Sequence, residues 1–136
     1  MAERVNPTEL YNSVEYGFSH AAISNGNQRL LHLAGQTAWD KDRTVVGPGD
    51  VAAQTRQCLA NLQQVLASQG ATAAHLVRIR TYVVNHHPAL LGPIQTEIGK
   101  FYAACGCAPA PNTWIGVSSL ALPDFLIEIE ATAALP

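Results

Sequence analysis

Between residues 51 and 69 the apolar positions Val51, Cys58, Leu59, Leu62, Val65 and Leu66, with Thr55 among them, recur at intervals of three and four. That is the period of a helix with one buried face. Asp50 stands where a side chain can cap its amino end, the Gly47-Pro48-Gly49 turn comes just before, and Gly70 stands where a left-handed terminator is wanted. A second helix is predicted from about residue 88 to 104, with Leu91, Ile94, Ile98, Phe101 and Tyr102 on one side and Pro88 in its first turn. The run LVRIRTYVV, residues 76 to 84, alternates instead. It predicts a strand with Val77, Ile79, Thr81 and Val83 on one face and Arg78, Arg80 and Tyr82 on the other. Further strands are predicted at 15–23, 29–35, 113–117 and 125–133.

The order strand, strand, helix, strand, helix, strand, strand suits an α+β fold in which an open mixed sheet is covered on one face by two helices. A length of 136 residues fits a single domain, residues 1–136, with no internal repeat or linker. The uncovered face of the sheet is too apolar to be left wet, so a partner subunit is expected to cover it. In the last strand Ile127 and Ile129 then meet the helices, while Leu126, Glu128 and Glu130 point the other way. Two carboxylates in so apolar a segment need partners, or must hold their protons more tightly than usual.

Composition strengthens the expectation of an oligomer, since 48% of the residues are hydrophobic and only 13% charged. The net charge is −2 and the eight Lys and Arg residues form no basic cluster, which argues against nucleic acid as the main partner. No apolar run approaches the roughly 18 residues needed to span a bilayer, and MAERVNPTEL lacks the regions of a signal peptide, so no membrane is expected and the location is read as cytoplasmic. Cys58 reads as a small core residue and Cys105-Gly106-Cys107 as an ordinary loop, too tightly spaced for a zinc half-site. The five histidines show no ligand spacing and read as surface or capping residues, and no metal or cofactor is expected.

Three segments give the chain a family resemblance: LAGQTAWD at 33–40, DVAAQTRQCLANLQQVLASQGATAAHLVRIRTYVVN at 50–85, and IGVSSLALPDFLIEIEATA at 115–133. Together they resemble the RidA family, also called YjgF/YER057c/UK114, over roughly residues 14 to 133. The resemblance implies a chorismate-mutase-like subunit, a homotrimer, and small-molecule pockets between subunits. It also implies hydrolysis of reactive enamines and imines, with an arginine holding the substrate carboxylate and a glutamate orienting water. Glu128 matches that glutamate. Gly35 matches the glycine of the family's Ser-Gly-Gln turn, with Ala34 in place of the serine. The arginine, however, is replaced by Asn112 in Pro109-Ala110-Pro111-Asn112-Thr113. An amide offers one neutral donor where a guanidinium offers two charged ones, so an anionic ligand loses several kcal/mol. Phe18 takes the place of a pocket tyrosine, Gln95 of an asparagine, and Trp114 of a small residue.

Each of these residues also has a plainer reading. Glu128 can be a strand carboxylate paired with Arg78 or Arg80, Glu130 reads as structural, Asn112 suits a turn after Pro111, and Trp114 suits packing. Arg80 is either the partner of an acid or a replacement for the missing cation. The leading functional expectation is a hydrolase with Glu128 as the catalytic group. Asn112, Gly35, Trp114, Phe18, Gln95 and Arg80 then contact a neutral or weakly anionic substrate. A non-catalytic metabolite-binding or regulatory trimer is the alternative, and an endoribonuclease-like activity a weaker one.

Overall fold

A computed structural model describes residues 2–136. Four strands form a mixed sheet: β3 (Leu30–Gln36), β4 (Leu76–Val84), β5 (Asn112–Val117) and β6 (Ile127–Ala134). Their spatial order is β3-β6-β4-β5, antiparallel except for the β4/β5 pair. That parallel pair needs a crossover, which α2 (Leu91–Cys105) supplies. The remaining strands, β1 (Glu3–Val5) and β2 (Ala21–Ile23), form a separate antiparallel ribbon.

Helix α1 (Val51–Ser68) begins as the sequence predicts, with Asp50 accepting from the Ala53 N–H at 3.0 Å. It ends through Gly70, whose φ of 68° lets the Ala71 N–H reach the Leu66 carbonyl at 2.9 Å. Leu59, Leu62 and Leu66 of α1 and Ile94 and Ile98 of α2 bury one sheet face, meeting Ile79, Val83, Ile127 and Ile129. Cys58 is buried there as expected, its thiol pushed up to about 12 by burial first and the Glu128 charge second. Gln54 is also fully buried: its amide donates to the Gly47 and Asp124 carbonyls and accepts the Leu126 N–H. It fixes the loop that delivers β6. His75 caps, closing a box with Thr72.

The strand predicted over 15–23 is corrected. Only Ala21–Ile23 is extended; Ser13–Tyr16 forms a 3-10 turn that stops at Gly17, φ 85°. Tyr16 and Phe18, which raised strand propensity, pack edge-on against Tyr11 instead, at 6.1 and 6.3 Å.

Candidate functional site

Strand β6 alternates as its sequence dictates. Ile127, Ile129, Ala131 and Ala133 are buried under the helices, and Glu128, Glu130 and Thr132 share the outer face with Arg78, Arg80 and Tyr82 of β4. The two acids have different surroundings. Tyr82 donates its hydroxyl to Glu130 Oε1, and Arg80 Nη1 lies 3.5 Å from the same oxygen. The hydrogen bond to Glu130 raises the Tyr82 pKa. Glu130 is thus engaged within the sheet.

Glu128 has no side-chain hydrogen bond or ion pair among the described residues, so the pairing with Arg78 or Arg80 read as its plainer role does not form within the chain. Burial, with the Glu130 charge second, raises its pKa above the ordinary carboxylate value. An unpartnered acid that keeps its proton more tightly than usual is suited to passing one to a ligand or orienting a water. Its position depends on Gly35. The register of β3 on β6 shifts between Leu33 and Gln36, and there the Glu128 side chain lies against the glycine; an added Cβ would sit 2.8 Å from Glu128 Cγ and Cδ.

Asn112 and Trp114 occupy β5 in parallel register with Ile79 and Thr81, on the helix side of the sheet. Asn112 Oδ1 accepts from the Thr81 hydroxyl at 3.1 Å, which leaves its amide hydrogens for another acceptor. Trp114 packs on the edge of the core, and its indole N–H meets His86 Nδ1 at 3.3 Å. Nearby are the 11–20 segment, with Ser19 bonded to the Pro109 and Ala110 carbonyls, and Gln95, whose amide donates to the Tyr16 carbonyl at 3.4 Å. Within one chain the candidate residues therefore fall into two groups. Glu128 and Gly35, with Arg80 beside them, face outward; Asn112, Trp114, Phe18 and Gln95 belong to the other side or its edge. Arg80, held by Glu130 on the outer face, does not replace the missing cation at Asn112 in its own chain. The outer face has a shallow cavity of about 170 Å³ lined by Arg78, Arg80, Glu130, Ala131 and Thr132; a groove of about 550 Å³ lies between the helices. Neither is lined by Glu128, Gly35 or Asn112.

Two features escaped the sequence reading. Thr81 as the partner of Asn112 depends on a cross-strand register that no local pattern encodes. The 105–107 segment, read as an ordinary loop, is a cross-link: Cys105 and Cys107 are joined as a disulfide. The Cys-Gly-Cys sequence was its only signal. Among the described residues, no group of three or more His, Cys, Asp or Glu is placed to hold a metal, and no helix is long and apolar enough to cross a membrane.

Comparison with known proteins adds to this geometry. The family model described as Endoribonuclease L-PSP matches residues 11–135. The chain belongs to this family. A solved structure of a conserved Rid family protein of unknown function from Yersinia pestis is 54% identical with a TM-score of 0.93, covering 98% of each chain. A YjgF/YER057c/UK114 family structure from Mycobacterium tuberculosis is 25% identical with a TM-score of 0.63, covering 99% of this chain and 100% of that one. A RutC family protein of Synechocystis is 30% identical over 121 residues, 88% of this chain and 86% of its own. These matches support the RidA/YjgF family and its mixed sheet with two helices.

Proposed function

We propose that this Rid-family chain is an imine- or enamine-directed hydrolase whose sites form between identical protomers of a trimer, and that its substrate is neutral or weakly anionic. The observation that carries the reading is the unpartnered Glu128 carboxyl, seated on Gly35 at an outer sheet face, with its proton affinity raised. Glu128 orients the attacking water and takes a proton from it, and the Gly35 backbone N–H and the free amide hydrogens of Asn112 hold the polar atom of the substrate. Phe18 and Trp114 provide apolar walls and Gln95 a further polar contact. Glu128 and Asn112 face opposite sides of one sheet, so one chain brings its outer face and a neighbour brings its β5 edge. Asn112 lacks the charge that a substrate carboxylate would need, which excludes the family's usual anionic imines as good substrates.

The test is ammonia release from freshly generated 2-iminobutyrate by the parent and by Asn112→Arg. A weak parent and a variant improved by about tenfold or more, the value of a charge-assisted pair, are expected. Parental activity that survives Glu128→Ala would remove Glu128 from its role. Binding of neutral carbonyl compounds without turnover by either protein would favour a non-catalytic binding trimer, a reading the engaged Asn112 carbonyl oxygen also fits.

A further inference from the structure

On the side of the molecule away from Glu128, α2 ends at Cys105, Gly106 turns the chain at φ 65°, and Cys107 begins the connector to β5. The disulfide between the two cysteines spans a Cα separation of 5.4 Å. Cys105 is exposed, whereas Cys107 is half-buried and packs on the core. Cys105 also lines the groove of about 550 Å³ between α1 and α2, with Leu59, Phe101 and Ala104 as apolar walls. At its rim Arg56 and Lys100, 62% and 67% exposed, share one carboxylate, that of Glu97, which is 6% exposed. The hydrogen bonds from Arg56 hold the Glu97 pKa below the usual range, so it stays charged and the rim keeps one positive charge in excess.

A bridge between residues two apart restrains very little unfolded chain, so loop-closure entropy gives this disulfide small weight in stability. An exposed disulfide with little structural duty is the kind that exchanges with small thiols. We propose that Cys105–Cys107 is a thiol–disulfide exchange site whose co-substrate is a small thiol bearing carboxylates, seated in the α1–α2 groove against Lys100 and Arg56. The incoming thiolate attacks Cys105 Sγ, the accessible sulfur. A mixed disulfide forms as the Cys105–Cys107 bond breaks, and Cys107 leaves as a thiolate that takes a proton from water. A second thiol attacks the sulfur of the first, releasing the Cys105 thiol. Two electrons pass from the two small thiols to the protein, which ends as a dithiol while they end as their own disulfide. Both sulfurs lie near the Tyr102 carbonyl, Cys105 Sγ at 3.3 Å and Cys107 Sγ at 3.7 Å, so access decides which is attacked: Cys105 is exposed and Cys107 half-buried.

Glutathione, an acidic thiol, is the probe, and cysteamine, a cationic one, the control. Protein purified without reductant is equilibrated with reduced and oxidised glutathione in varied ratio, quenched with an alkylating agent and weighed by mass spectrometry. Labels on Cys105 and Cys107 are expected to appear together as the ratio becomes reducing, with buried Cys58 unlabelled in the folded protein. Cys107→Ser exposed to oxidised glutathione should gain one glutathione at Cys105, and faster than Cys105→Ser gains one at Cys107. Lys100→Gln should slow opening by glutathione by up to about fivefold, the upper end for one exposed charge pair, and leave opening by cysteamine no slower. Full labelling of both cysteines at every glutathione ratio would overturn the exchange site. Equal rates for the two thiols, unchanged in Lys100→Gln, would overturn the acidic co-substrate. Neither readout depends on Glu128 or Asn112, so failure here is separate from failure of the hydrolase reading.

Discussion

At the scale of single residues, the proposed chemistry turns on which of two neighbouring acids is left without a partner. Tyr82 and Arg80 hold Glu130, while Gly35 leaves room for Glu128 and offers its side chain nothing to bind. Gly35→Ala places a methyl where the carboxylate lies. The side chain can swing away, so stability should fall by no more than about 1 kcal/mol, the low end of overpacking costs. Turnover, in whichever form is active, should fall about a hundredfold, because displacing a catalytic group by an ångström has that scale of effect. Melting curves and kinetics of the one variant check both. The raised pKa of Glu128 has its own signature. An acid that binds its proton more tightly folded than unfolded favours the fold at pH below the ordinary carboxylate value, and that contribution is lost as pH climbs through the raised value. Glu128→Gln escapes the loss. The melting temperature of the variant should therefore gain on the parent as pH rises from about 4 to 7; a constant gap would mean that Glu128 titrates as it does in water.

At the scale of elements, legibility followed periodicity. Helix α1 and strand β4 lie where their patterns put them, because long repeats with caps or β-branched residues leave little competition. Alternation in β6 also showed that Glu128 and Glu130 face away from the helices. The 15–23 segment was misread because Tyr16, Phe18 and Ile23 look extended, yet Gly17 in the left-handed region and Asn6 accepting the His20 N–H at 2.8 Å bend it into a turn. The sequence also could not show that Asn112 faces the helix side. That follows from the parallel register of β5 on β4, set by the crossover through α2 and by tertiary packing. The polar link made by Gln54, buried in a helix face that otherwise reads as apolar, was hidden for the same reason: its partners at Asp124 and Leu126 lie some seventy residues away.

At the scale of the whole molecule, the proposal that copies complete one another's sites can be tested by mixing. The parent chain has Glu128 without the guanidinium, and a doubly altered Asn112→Arg, Glu128→Gln chain has the guanidinium without the acid. Each alone should be weak on 2-iminobutyrate. Unfolded and refolded together, they should release ammonia faster than the sum of the two; if they do not, the site lies within a single chain. The strand order has a further consequence. β6, last in sequence, lies between β3 and β4, which are not neighbours of each other. While a ribosome is still translating residues before 127, β3 has no strand to pair with and the apolar face of α1 has only part of its sheet. At about 5–20 residues per second the nascent polypeptide spends several seconds with this surface uncovered. Nascent chains stalled before β6 should therefore depend on chaperones, and emergence of β6 from the ribosome should be followed by abrupt acquisition of protease resistance.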